Sequence, residues 1–132
     1  MTTLTISAVC LIDDAGRLLL VRKRNTKAFM LPGGKAELGE TPITALVREL
    51  QEELNLRLPS GDLQLLGQFR TAAANEADTW IDASVFKARL PHSVSAAAEL
   101  EELCWLAPGD ALPETLAPLL REHVLPLLWP IG

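Results

Sequence analysis

The apolar positions along this chain change their period twice. Residues 4 to 12 and 18 to 23 are dense in β-branched and aliphatic side chains. Asp13, Asp14, Ala15 and Gly16 between them have hairpin-turn chemistry, so the two runs predict paired strands. Between positions 29 and 39, Pro32, Gly33, Gly34 and Gly39 break any regular pattern and predict a loop whose backbone amides are free to face a ligand. A helical period follows from 41 to 54, where Ile43, Leu46, Val47, Leu50 and Leu54 fall on one side, with Thr41 as cap and Pro42 in the first turn. Residues 63 to 70 and 79 to 88 predict two further strands joined by the polar stretch Asn75, Glu76, Ala77 and Asp78, and 103 to 106 a short one. From 113 to 128, Leu116, Leu119, Leu120, Val124, Leu127 and Leu128 recur at helical intervals. They predict a second amphipathic helix that Pro118 and Pro126 break or kink. The expected class is α/β, of α+β type, with a mixed β-sheet between helices. No repeat, linker or composition shift divides residues 1 to 132, which read as a single domain.

Composition narrows the partners. A hydrophobic content of 48% is enough for one sizeable core. A net charge of −5 leaves no broad basic face, which argues against long nucleic acid as a partner. Cys10 and Cys104 lie in apolar segments without a Cys-x-x-Cys pair and read as reduced thiols. The N-terminal stretch has no basic start, and no apolar run approaches the roughly 20 residues of a membrane span. The expectation is a cytoplasmic protein with no membrane partner. The apolar run from Val124 to Ile131 reads as a helix docked on its own sheet, or as cover for a homodimer interface.

The helix at 41 to 54 carries the candidate chemistry. At about 100° per residue, Glu49, Glu52 and Glu53 fall together on a face adjoining the apolar stripe. Like charges at that spacing repel one another and ask for a counter-charge. Arg48 supplies part of it. Carboxylate oxygens without His or Cys suit a hard cation, Mg²⁺ or Mn²⁺, better than zinc. Read alone, the cluster is also what a solvated helix face looks like.

Spacing separates the two readings. From Gly34, five residues lead to Glu40 and seven more to Arg48-Glu49-Leu50; Gln51 then precedes Glu52-Glu53, followed by Leu54-Asn55-Leu56. This resembles the Nudix box: Gly, five residues, Glu, seven residues, Arg-Glu-aliphatic, one residue, Glu-Glu, one residue, Gly, aliphatic. The family's Leu-Pro-Gly-Gly also stands here as Leu31, Pro32, Gly33 and Gly34. One position departs: Asn55 replaces the glycine that ends the helix, and Asn is the side chain that best tolerates a left-handed cap.

The resemblance implies a Nudix fold and metal-dependent hydrolysis of a pyrophosphate bond. It implies Glu52 and Glu53 as principal metal ligands, Glu49 as a further ligand or the base that deprotonates water, Gly34 as a backbone ligand, and Arg48 as the residue that orients a glutamate. Glu40 would brace the loop. Glu99, six residues before Trp105, stands where relatives place an outer metal ligand, and Glu76 is a second candidate near the substrate. Alternation on the strand puts Arg22 and Arg24 on one side, where they reach phosphates, and Lys23 on the other. Phe29 is open to either base stacking or core packing.

The chain has no Tyr, and Thr71 and Ala72 stand where many ADP-ribose hydrolases carry a proline. What remains by elimination is a nucleoside triphosphate, oxidised ones included. An ADP-ribose or nucleotide-sugar pyrophosphatase and a non-catalytic nucleotide sensor are the alternatives.

Overall fold

The computed structural model describes residues 2–74 and 76–129; Asn75 of the expected loop, and Pro130 and Ile131 of the apolar C-terminal run, lie outside the described residues. Six strands form one sheet: β1 (Thr2–Ile12), β2 (Leu18–Lys23), β3 (Gly33–Lys35), β4 (Gln64–Ala72), β5 (Thr79–Arg89) and β6 (Leu100–Leu106). Their order is β4-β5-β1-β2-β6, and β3 pairs with β1 beside this path. β1 and β5 run parallel while the other pairings are antiparallel, so the sheet is mixed, as the sequence predicts.

β1 organises the sheet because its period-2 alternation is apolar on both sides. Val9 and Leu11 point to one face, Ala8 and Cys10 to the other, all of them buried. The first face is covered by α1 (Pro42–Leu54), whose Leu46, Leu50 and Leu54 pack with Val9, Leu11, Leu19 and Val21. Burying such a leucine stabilises the fold by about 1.5–3 kcal/mol. The second face is covered by the C-terminal segment, whose Leu116, Leu119, Leu120 and Val124 pack with Cys10, Leu18, Leu20 and Val85.

Helix α1 is held at both ends. Thr41 accepts from the Thr44 backbone, and the Thr44 side chain accepts from the Thr41 N–H, closing a capping box around Pro42. At the other end Asn55 adopts φ 51°, ψ 34°, and the N–H of Leu56 returns to the Leu50 carbonyl. Asn55 therefore does the work of the missing glycine.

Two expectations change. The 29-to-39 loop contains β3: Gly33 sits at φ 146°, and an added Cβ there would lie 2.0 Å from the Ser7 carbonyl oxygen. The absent side chain lets this backbone lie against β1 as a strand. The second helix is shorter than its apolar period suggests. Residues 113 to 117 stay irregular, with Phe29 bridging to Leu116. A π-helical turn (Leu119–Val124) then leads into a single α-turn, α2 (Leu125–Leu128), with a proline in its first turn. Pro118 and Pro126 explain this, since neither ring offers an N–H to a helical ladder. Among the described residues no helix is long and apolar enough to cross a membrane.

Candidate active site

The capped ends of α1 and the glycines of β3 place its last two turns against the sheet. Glu53 is only 2% exposed, and its Oε1 accepts a hydrogen bond from the Gly33 N–H at 3.2 Å. Burial pushes its ionisation up to about 7, against the Gly33 hydrogen bond and with the nearby Glu49 adding to the rise. The Glu49 carboxylate lies over Gly34 so closely that a Cβ there would sit 2.6 Å from its Cδ. Burial raises the Glu49 pKa as well, while Arg48 opposes the shift.

Arg48 is the hub of this end. Its Nε and Nη2 donate to the two oxygens of Glu40 at 2.8 and 2.9 Å, a bidentate pair that fixes the guanidinium plane. Those bonds hold the Glu40 carboxyl down at about 2 and raise Arg48 above its ordinary value. Nη1 donates to Glu49 at 2.9 Å and reaches Glu52 at 3.4 Å, and Nη2 also donates to the Lys35 carbonyl at 3.0 Å. One cation thus ties the loop, the capping turn and two glutamates together. Glu40 also accepts from the Glu37 N–H at 2.7 Å, which braces the loop in front of the helix.

The site suits a hard divalent ion in its chemistry. The donors are carboxylate and carbonyl oxygens, one carboxylate is buried with its charge poorly compensated, and the absent side chain of Gly34 lets the Glu49 carboxylate lie directly against that backbone. Among the described residues, no three acidic, His or Cys side chains already converge on one ion-sized point. In this arrangement the Arg48 guanidinium is what gathers Glu49 and Glu52.

The remaining candidates divide into two groups. Glu99 is exposed, but its carboxylate lies 3.6 Å from Lys23 Nζ and its charge is felt at Glu53, which puts it at the site's margin. Glu76 lines the mouth of a cavity of about 270 Å³ on the far side of β3. Arg22, Arg24 and Phe29 do not line that cavity. Arg22 is engaged with Glu102 at 3.1 Å and the Thr26 carbonyl at 2.8 Å, and Arg24 with Glu101 and the Ala98 carbonyl. Phe29 packs at the border of the core under the C-terminal segment.

Lys23, which alternation sets opposite Arg22 and Arg24, lines the cavity together with Lys35 and acts electrostatically on both Glu49 and Glu53. Leu19 and Val21 pack against α1, and Lys23, two residues further along the strand, falls on the same face beside the α1 glutamates. Alternation set Lys23 opposite Arg22 and Arg24 correctly; which side of β2 meets the site depends on where α1 packs, and β2 alone does not carry that. The cavity was not legible, because it is assembled from β1, the end of β2, the stretch that holds Thr26, Met30 and Leu31, β3, Ala72 to Ala74 with Glu76, β5 and the C-terminal segment.

Comparison with known proteins agrees with this geometry. A family model described as NUDIX domain matches residues 1–128. A MutT-like protein of Streptomyces ambofaciens is 30% identical over 127 residues, covering 96% of this chain and 77% of that protein. An RNA pyrophosphohydrolase of Halorhodospira halophila is 39% identical over 62 residues, 47% of this chain and 33% of the relative, so the match spans about a third of that protein's length. Among solved structures, the crystal structure of a MutT NUDIX hydrolase from Burkholderia pseudomallei superposes with a TM-score of 0.73 at 26% identity, covering 88% of this chain and 91% of that one.

Proposed function

The chain belongs to the NUDIX domain family and is a Nudix hydrolase, an enzyme of pyrophosphate bonds; on that premise we propose that residues 1 to 132 act as one domain that hydrolyses a nucleoside triphosphate, oxidised ones included, with Mg²⁺ or Mn²⁺. The observation that carries this reading is the buried Glu53 carboxylate tied to Gly33, with Glu49 laid over Gly34, immediately beside a cavity.

Glu49, Glu52 and Glu53, with the Gly34 carbonyl and Glu99 at the margin, are the groups that would hold the metal. When bound, the ion supplies charge neutralisation on the phosphates and a lowered pKa for water. The chain's own residues do the rest. Arg48, locked by Glu40, orients Glu49 and Glu52 and keeps them from repelling one another. Burial disfavours the charged form of the Glu53 carboxylate, a cost that a cation held there would offset. Lys23 and the Gly33–Lys35 backbone face the space between cavity and carboxylates, where a diphosphate would lie. The nearby cavity adjoins that space.

Intact Glu49, Glu52 and Glu53 favour turnover over a sensor role. Two unpaired cysteines, Cys10 and Cys104, suit the reducing cytoplasm. The test is release of phosphate or pyrophosphate, with and without Mg²⁺, across nucleoside triphosphates, ADP-ribose, nucleotide sugars and dinucleotides. Mg²⁺-dependent turnover of triphosphates supports the reading. Turnover confined to ADP-ribose or nucleotide sugars would replace its substrate, and tight binding without turnover of anything would favour a sensor.

A further inference from the structure

The cavity beside β3 has a composition that the nucleotide reading does not require. Its walls are aliphatic: Leu4 and Ile6 from β1, Ile81 from β5, Leu31, and Leu119 with Leu120 from the π-helical turn. None of the described residues lining it is aromatic, so it offers no stacking platform. Its charged side chains are few. Lys23 and Lys35 lie toward the phosphate side and Glu76 at the loop, while the Thr26 hydroxyl is already committed to the Lys23 carbonyl at 2.7 Å. Among the described lining residues, Ser7 is the one buried polar residue.

A nucleobase carries several hydrogen-bonding atoms along its edge, and a wall that cannot pair them leaves them unsatisfied on burial. An apolar group loses nothing there and gains contact along its whole length. Small residues, Ala72, Ala73 and Ala74, keep one side of the cavity open. A volume of about 270 Å³ is enough for one compact group.

We propose that this cavity gives the protein a second class of substrate beside nucleotides: di- and triphosphates esterified to a compact aliphatic group, held by the Leu4, Ile6, Ile81 and Leu119 walls. The proposal rests on the hydrolase reading above. Water adds to one phosphorus, the P–O–P bridge breaks, the leaving phosphate takes the bridging oxygen, and the proton goes to solvent. The P–O–C ester bond stays intact.

The experiment is a homologous series of triphosphate monoesters from methyl through hexyl and longer, with inorganic tripolyphosphate as the member lacking a far group. In parallel, the matching alkyl monophosphates are titrated calorimetrically in EDTA. We expect kcat/KM and affinity to rise about fourfold per added methylene, equivalent to about 0.8 kcal/mol, until the cavity is filled. Binding should carry a negative heat-capacity change that grows with chain length. Leu119→Ala should move the end of the rise to longer chains and Ala73→Phe to shorter ones; should either variant fail to fold, the wild-type series already decides. A flat series with methyl triphosphate and nucleotides still hydrolysed overturns this proposal and leaves the hydrolase reading standing. No turnover of any ester, tripolyphosphate or nucleotide overturns both.

Discussion

The two segments that cover the sheet solve the same packing problem in opposite ways. Helix α1 is regular, capped by Thr41 and Asn55, and bears its carboxylates on the edge of its buried stripe. The C-terminal segment has no side-chain cap, starts as a π-helical turn, and ends after a single α-turn that begins around Pro126. The first carries the hub of charges around Arg48, and the second presents leucines to a cavity. The contrast teaches where rigidity is needed. Carboxylates that must share one charge-compensating site have to be fixed within fractions of an ångström, which a doubly capped helix provides. A wall that reads a ligand by apolar contact tolerates a looser backbone, and π-helical turns are frequent beside functional sites.

Breaking the fixed side should cost most. Gly33→Ala puts a methyl 2.0 Å from the Ser7 carbonyl oxygen on a residue whose φ is 146°. We expect a loss above about 4 kcal/mol in urea unfolding, or no folded protein at all. Leu46→Ala and Leu120→Ala sharpen the comparison directly, because both side chains are fully buried, one under each segment. Each should cost about 2–5 kcal/mol, with Leu120 at the lower end because the less regular C-terminal segment can settle into the space. Equal costs in thermal or urea unfolding would remove the claim that the two covers differ in rigidity.

Smaller effects test the caps and the brace. Thr41→Ala removes an acceptor from the start of α1 and should lower stability by about 1 kcal/mol, measurable in the urea midpoint. The Glu40 carboxyl is held down at about 2 by Arg48, against an ordinary 4.5. A depressed carboxylate stabilises the fold above its unfolded value, and that contribution is lost as pH falls through the folded one. Between pH 4.5 and 2, wild-type stability should therefore fall more steeply than that of Glu40→Gln. Parallel curves would mean that the brace contributes nothing.

What the sequence made legible follows from how local each feature is. The strands of the sheet other than β3, α1, its cap at Thr41 and the left-handed Asn55 are all encoded within a few neighbouring residues, and the structure has them within a few positions of where the pattern put them. Glu49, Glu53 and Arg48 come together because one helix carries all three. Lys23 was passed over in favour of Arg22 and Arg24 because alternation separates the two sides of β2 and does not say which of them α1 will cover. The second helix was overdrawn because an apolar period continues through Pro118 and Pro126 while the hydrogen-bond ladder cannot. The cavity needed several separate pieces of chain, from Leu4 to Leu120, to meet, and no window of sequence contains it.

The most direct test of the central claim, that the buried end of α1 is the hydrolytic machinery, is the Mg²⁺-dependent kcat/KM of Glu53→Gln beside the wild type on the best substrate of the panel. The amide keeps the size of the side chain and cannot carry its charge, so the fold should persist by circular dichroism and thermal unfolding. The account predicts a fall of at least about a hundredfold, beyond the loss typical of a residue that merely supports a ligand. A folded Glu53→Gln enzyme with wild-type kcat/KM would contradict it.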